Sequence, residues 1–526
     1  MATLALAAAA LIAAAAPNPS VRFNKTAWLE DYAALKGAMQ ESYANLAWFG
    51  SPEGGLDLPA LDRRTLRALA RAETDSEATF ALRDFVAAFH DGHLSQLPPL
   101  APTPSISPTE PLQRDLTHEE AVAGCAAMGY ADRSQAALSL PFESLPGFHL
   151  EADGVANAFR AGTIEVAGRR IGLIRLKVFL QEEYPSVCVR AWAMTDATAR
   201  AHTDSFDDFV NNLWFESLSS QLRRFQWEGV AALIVDVGGN GGGNGSADWA
   251  ARLFTSNPVH SARLLISAAQ PAHDYFDRRI SALRTASEGA AGDTVRQALD
   301  GVAAFEARKR QVASRRCDMS WVWTERRHWN PPGCTRLVDA GWASGIYDYL
   351  PAGTISNANV AALLYRPSQV DRFRGSWNGP VYVLTNGTTY SSAELFTAVM
   401  RDNGIARTVG ARTGGDGCGG MTALTPIVLP HSLLRFRMAS CMRLRRDGSN
   451  EVAGIAPDLP VLPLTGESAR ARAVRLLNAV VTDLPAPPSA ASGRTLQPQS
   501  APSISETQTS RVLHAHAVEA AAHRYE

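Results

Sequence analysis

Lysine is scarce in this chain of 526 residues, because only four of its 50 basic residues are lysines and Lys309 is the last of them. That scarcity limits where a catalytic lysine could stand. Long apolar runs are missing as well, since the N-terminal run over residues 2–16 is too short to span a bilayer. No block of like charge occurs, and 50 basic against 52 acidic residues give a net charge of -2. We therefore expect neither a nucleic-acid partner nor a membrane span.

None of the six cysteines forms a CxxC pair, which argues against a zinc ribbon or a thioredoxin-type site, and we expect no metal and no cofactor. Their even number suits an oxidising compartment. Residues 1–16 predict a signal peptide that ends in small residues before Pro17, although a basic residue at its start is missing. The mature protein is then periplasmic or secreted; the alternative is a frayed alanine-rich segment.

The remaining composition, 46% hydrophobic and 19% charged, supports several hydrophobic cores. Apolar spacing predicts an α-helical N-terminal lobe, with Asp75 or Ser76 as a helix cap, and then alternating strands and helices of an α/β fold. Oligomeric state is left open. The expected organisation is a signal peptide at 1–16, the helical lobe at 17–97, a linker and connecting segment at 98–165, the first core part at 166–265, a Trp-rich insertion at 266–377, the second core part at 378–482 and a disordered tail at 483–526.

Residues 385–404 read TNGTTYSSAELFTAVMRDNG, a strand that turns sharply into a helix. The turn puts Ser391 at the helix N-terminus, where free backbone N–H groups favour a developing negative charge. A nucleophile for acyl transfer suits such a position. The alternative is that Thr389, Ser391 or Ser392 only caps the helix.

Two further segments carry groups of chemical interest. A buried strand ends in Asp236 and the glycine-rich run 238–243, which could offer N–H donors but is neither a Walker loop nor a dinucleotide fingerprint. The segment FHDGHLSQ, residues 89–96, contains His93, and histidine suits general acid–base work near neutral pH. An ordinary surface histidine is the alternative there.

Taken in order, these segments resemble the C-terminal processing (tail-specific) serine peptidase family, including its tricorn core branch. The resemblance lies in IGLIRLKVF, ALIVDVGGNGGG, GPVYVLTNGTTYSSAELFTAVMRDNGIARTVGARTGGDG and NEVAGIAPDLPV, within residues 166–260 and 378–465. It implies a crotonase-like crossover α/β core and the hydrolysis of peptide bonds through a serine acyl-enzyme. It also implies Ser391 as nucleophile, with the N–H of Ser392 and the glycine loop at Gly241 and Gly242 as oxyanion donors.

For the general base, the resemblance implies a histidine. Processing peptidases use a lysine in a GKG turn beyond the serine, but Asp416 stands at that position and no lysine follows Lys309. The tricorn branch uses a histidine and a distant glutamate, which match His93 and Glu451. The residue before that histidine is a serine in tricorn and is Gly92 in this chain, so either Asp91 or Glu451 is expected to orient the imidazole.

Two more departures concern the surroundings of the site. No PDZ pattern lies between the histidine and the first core strand, so capture of a C-terminal carboxylate is not implied. Gly238 stands where the family often has an arginine, a change that could loosen the glycine loop.

The sequence therefore predicts an exported serine hydrolase that acts on a peptide or protein substrate, most simply an endopeptidase. One alternative is a non-catalytic protein that binds a ligand or peptide on the same fold, with the Trp-rich insertion lining the pocket. Another makes Cys418 the nucleophile, unless it is oxidised. A Cys418–Cys441 disulfide is expected, with Cys317–Cys334 next, because each pair lies within one local segment.

Overall fold

A computed structural model describes residues 23–99, 118–133, 139–288, 290–330, 333–422 and 425–485. The signal peptide expected at 1–16 lies outside these residues, and so does the tail expected at 483–526 except for its first three residues, of which Asp483 ends a helix. Within them, no helix combines the length and the apolar character that a membrane crossing needs.

The N-terminal lobe is helical, as predicted. It consists of α1 (Lys25–Ser42), α2 (Leu46–Phe49), α3 (Leu58–Arg71) and α4 (Asp75–Ala87), followed by the short strand β1 (Ser95–Leu97). The cap predicted for α4 is wrong by one residue, because the hydroxyl of Thr74 accepts the N–H of Glu77 at 3.2 Å. A capping side chain belongs to the residue before the first helical one, so neither Asp75 nor Ser76 fills this position.

The central sheet has seven strands in the order β13-β9-β8-β5-β4-β3-β2, and its first five strands are parallel. They are β2 (Phe148–Asp153), β3 (Arg160–Val166), β4 (Arg169–Arg175), β5 (Ala232–Asp236), β8 (Val381–Thr385), β9 (Arg407–Gly410) and β13 (Leu459–Pro460). The linker and connecting segment expected at 98–165 contributes β2 and most of β3 to this sheet. Strand β2 was missed because it is an edge strand with few buried residues and so lacks a continuous apolar run.

Helices cover both faces of the central sheet, which confirms the crossover α/β class. Helices α8 and α13 pack on one face and α14 packs on the other. The helices of this part are α5 (His118–Ala127), α6 (Pro185–Ala193), α7 (Ala197–Ala201), α8 (Thr203–Trp227), α9 (Ser246–Ala250), α13 (Ser392–Asp402) and α14 (Ala469–Asp483).

The expected insertion at 266–377 is joined to the rest of the fold through a second sheet, of order β12-β6-β7. The insertion contains the Trp-rich segment, in which Trp323 packs against Phe85 of the N-terminal lobe with ring centroids 6.0 Å apart. Strand β7 of the insertion pairs with β6, and β6 pairs with β12, a strand that follows the predicted nucleophile in the chain. The elements are β6 (Arg263–Ser267), α10 (Gln270–Ser287), α11 (Asp293–Ser314), β7 (Leu337–Trp342), α12 (Ala358–Leu364) and β12 (Cys441–Leu444).

A small third sheet ties the histidine segment to the second half of the chain. Strand β1 pairs antiparallel with β11 (Arg435–Arg437), which also pairs with β10 (Ile427–Val428). In the first pairing Ser95 lies opposite Arg437, so the residues just before β1 are brought beside the loops that follow β9. The central sheet meets them from the other side, because β5 and β8 are parallel neighbours whose carboxyl ends share one edge.

Candidate active site

Ser391 lies at the sharp turn between β8 and α13. Its backbone φ is 52°, a left-handed conformation that is uncommon for a residue with a side chain. The glycine loop packs directly on this turn, since a Cβ added to Gly242 would lie 2.6 Å from the Cβ of Ser391. Gly242 itself has a φ of 108°, so both space and backbone conformation require a glycine there.

The predicted oxyanion donors differ in whether they are already hydrogen-bonded. The same Cβ at Gly242 would lie 3.0 Å from the nitrogen of Ser392, which places the two loops side by side. The N–H of Gly242, however, donates to Oδ1 of Asn240 at 2.8 Å, so it is already engaged in this conformation. Of the three predicted oxyanion donors, the N–H groups of Ser392 and Gly241 take no part in this bond.

Glu394 connects the nucleophile turn to the loop formed by residues 413–419. Its carboxylate is completely buried and accepts the N–H of Ser391 at 3.0 Å. It accepts four more hydrogen bonds from that loop, donated by the Thr413 hydroxyl and by the N–H groups of Gly415, Asp416 and Gly417. Burial and the neighbouring Glu451 raise the pKa of Glu394 to about 7. Glu394 is not among the site residues predicted from the sequence, although a glutamate three residues after a helix-capping serine is a known signal.

His93 lies against the same loop. A Cβ added to Gly419 would lie 2.6 Å from Cδ2 and 2.8 Å from Nε2 of the imidazole, so the ring packs on a bare backbone. Its Nδ1 is 3.3 Å from the carbonyl oxygen of Asp416 and 3.8 Å from Oδ1 of Asp91. The side chain of His93 is 18% exposed, which leaves part of the ring open to a substrate.

Asp91 is the carboxylate in contact with this histidine. Its Oδ1 accepts the backbone N–H of His93 at 2.8 Å, and its Oδ2 accepts the hydroxyl of Tyr43 at 2.7 Å. Burial raises the pKa of Asp91. Of the two carboxylates expected to orient the imidazole, Asp91 lies beside the ring, but its Oδ1 is 3.8 Å from Nδ1 and makes no hydrogen bond to it. The group within hydrogen-bond distance of Nδ1 is the carbonyl oxygen of Asp416.

Glu451 has a different partner from the one expected. It is fully buried, and its carboxylate accepts hydrogen bonds from the guanidinium of Arg443 at 2.8 and 3.1 Å. The same guanidinium donates to the carbonyl oxygens of Ser391 at 3.0 Å and Gly417 at 2.8 Å. The structure thus joins Glu451 to the nucleophile turn through Arg443, and the groups beside Nδ1 of His93 are Asp91 and a backbone carbonyl.

An arginine from another strand stands in for the one that is missing at position 238. Arg175, at the end of β4, forms a buried ion pair with Asp236. The hydroxyl of Ser139 donates to both oxygens of Asp236, and a side chain at Gly238 would collide with Ser139. The start of the glycine loop is therefore anchored without the usual arginine.

All six cysteines form disulfides, and both predicted pairs, Cys418–Cys441 and Cys317–Cys334, are confirmed. The third pair, Cys125–Cys188, was not predicted. In this oxidised form Cys418 has no thiol to act as a nucleophile. Among the described residues, no group of three or more His, Cys, Asp or Glu side chains is arranged to hold a metal ion.

The family model for peptidase family S41 matches residues 170–461, which is more than half of the chain. The chain belongs to peptidase family S41. It is therefore a serine-type peptidase whose substrates are peptides or proteins, as the resemblance to the tail-specific peptidases predicted. A comparison with curated proteins found no match.

Among the solved structures that are similar to this chain, mature CPAF shares its fold at low sequence identity. Mature CPAF superposes with a TM-score of 0.52 and 15% identity, over 88% of this chain and 98% of that one. A putative peptidase from Parabacteroides merdae gives a TM-score of 0.43 at 16% identity, with 89% and 99% of the two chains covered. The photosystem II D1 C-terminal processing protease gives 0.29 at 12% identity, with 85% and 99% covered.

Proposed function

We propose that the protein is an exported endopeptidase that cleaves peptide bonds through an acyl-enzyme on Ser391. His93 takes the hydroxyl proton as general base and returns it to the leaving amine as general acid. The N–H groups of Ser392 and Gly241 stabilise the oxyanion of the tetrahedral intermediate.

The observation that carries this proposal is that one loop, residues 413–419, holds both groups. Glu394 binds the N–H of Ser391 together with three N–H groups of the loop, and the imidazole of His93 packs on Gly419 of the same loop. Because Nδ1 of His93 faces a backbone carbonyl and a carboxylate, Nε2 is the nitrogen left to accept a proton. Glu451 then supports the reaction through Arg443 and the backbone of Ser391.

The test uses a peptide blocked at both ends, because only an endopeptidase cleaves it. Replacing Ser391 or His93 by alanine should each lower kcat/KM on the order of 10⁴-fold, and the double variant should be little worse, since the two residues act as one unit. His90→Asn changes an exposed histidine nearby, so this control variant should stay within a few-fold of the parent enzyme.

A fluorophosphonate probe gives a second readout. It should label the parent protein and leave the Ser391→Ala variant unlabelled, because the probe reacts with an activated serine. An unlabelled parent without hydrolysis would favour a ligand-binding protein on this fold. Full activity of the His93→Ala variant would refute the histidine base.

Export is supported by the apolar run before Pro17 and by the use of all six cysteines in disulfides. The intact mass of the protein from its native host should correspond to a chain that begins near Pro17. A mass that retains Met1 or Ala2 would contradict export.

A further inference from the structure

Two residues that depart from the family pattern, Gly92 and Asp416, meet in space although 324 positions separate them. Oδ1 of Asp416 accepts the N–H of Gly92 at 2.7 Å. A Cβ added to Gly92 would lie 2.6 Å from that oxygen and 2.7 Å from the carboxyl carbon, closer than real Cβ atoms approach other groups. The Asp416 carboxylate is buried and so occupies the space that a side chain at position 92 would need.

The backbone of Asp416 contacts His93 directly and is linked to Ser391 through Glu394. Its carbonyl oxygen is 3.3 Å from Nδ1 of His93. Its N–H donates to Oε2 of Glu394 at 2.8 Å, and the same oxygen accepts the N–H of Ser391 at 3.0 Å. A continuous set of hydrogen bonds therefore runs from the nucleophile turn through Asp416 to the histidine segment.

We propose that Asp416 is a positioning residue for His93 and that Gly92 and Asp416 form a matched pair. The carboxylate fixes the backbone at Gly92, one residue before the histidine, by a charge-assisted hydrogen bond. The carbonyl oxygen receives Nδ1–H, so the free electron pair is kept on Nε2. Asp416 takes no proton from the substrate or from Ser391.

This proposal rests on the proposed function, because His93 must be the base for its position to matter. It accounts for both departures by one contact, because the Asp416 carboxylate occupies the space that a side chain at position 92 would need. It also predicts that the effects of substitutions at the two positions are coupled, whereas the effects of substitutions at independent positions add.

The test is a double-mutant cycle on the full chain, with kcat and KM measured on the doubly blocked peptide. Asp416→Ala should lower kcat on the order of 10- to 100-fold with little change in KM, because a small displacement of the base slows chemistry more than binding. Gly92→Ala should cost on the order of 100-fold in the parent, since its Cβ meets the carboxylate. In the Asp416→Ala background the same change should cost less than about tenfold, because the obstructing group is gone.

Two further variants separate positioning from general stability. Asp416→Asn keeps an oxygen that accepts the Gly92 N–H, so it should restore kcat to within a few-fold of the parent. Asp31 is another buried carboxylate that accepts two backbone N–H groups, from His431 at 2.9 Å and Ser432 at 2.8 Å. Asp31→Ala should lower the unfolding midpoint and leave kcat unchanged.

The midpoint of thermal unfolding, measured on the same cycle, covers the case in which Gly92→Ala folds poorly. A midpoint that recovers when Asp416→Ala is added supports the pair. A parental kcat in Asp416→Ala, or an equal cost of Gly92→Ala with and without the carboxylate, would overturn the proposal. Retained activity in His93→Ala would instead refute the histidine base, which the same assay measures separately.

Discussion

Removal of the Cys418–Cys441 disulfide should lower catalysis as well as stability, and a second disulfide provides a matched control. In the chain-entropy model, a sequence separation of 23 residues corresponds to about 3.4 kcal/mol of stabilisation at room temperature. Cys317–Cys334, with a separation of 17 residues, corresponds to about 3.1 kcal/mol by the same relation. Replacing either pair by alanines should therefore cost nearly the same free energy of unfolding.

The two disulfides differ in what lies next to them. Cys418 stands between Gly417, whose carbonyl oxygen is bound by Arg443 at 2.8 Å, and Gly419, which supports the ring of His93. Cys441 is the first residue of β12, the strand that carries Arg443. Without the disulfide, the loop under the histidine is held mainly by hydrogen bonds, so we expect kcat to fall on the order of 10-fold or more.

The assay compares the Cys418→Ala/Cys441→Ala and Cys317→Ala/Cys334→Ala variants at a temperature where both remain folded. Unfolding is followed in urea on proteins that also carry Ser391→Ala, which prevents self-cleavage, and kcat is measured without that change. Similar losses of stability with a fall in kcat only for the first variant would support the reasoning. A parental kcat in the first variant, or equal falls in both, would refute it.

Local patterns explain what could be predicted from the sequence. Strand β8 was expected at 381–385 and is found there, because a buried parallel strand reads as a continuous apolar run. The turn at Ser391 and both predicted disulfides also depend on residues close together in the chain. These features need no knowledge of how distant segments pack.

Long-range packing explains what was missed. Arg443 carries no local signal, since its role arises only when β12 brings the guanidinium between the buried Glu451 and the backbone of Ser391. The same holds for Gly92 and Asp416, which in the sequence are two separate departures from a family pattern. Only the fold reveals that one residue fills the space left by the other.

Three further predictions concern the buried charges around the nucleophile. Glu451→Gln should lower kcat far less than His93→Ala does in the peptide assay, because its carboxylate contacts Arg443 and not the imidazole. Arg443→Met should lower the free energy of unfolding in urea by about 3 to 5 kcal/mol, because it leaves Glu451 as an unpaired buried charge. The last concerns pH: burial and Glu451 raise the pKa of Glu394 from 4.5 to about 7, so the folded state binds this proton more tightly than the unfolded chain does. The stabilisation, about 3 kcal/mol, is present below pH 4.5 and is lost as the pH rises through 7. Measured in the Ser391→Ala background, the fall in stability between acidic and neutral pH should therefore shrink in Glu394→Gln. An unchanged fall would mean that another carboxyl group binds the proton, because every other titrating group is common to the two proteins.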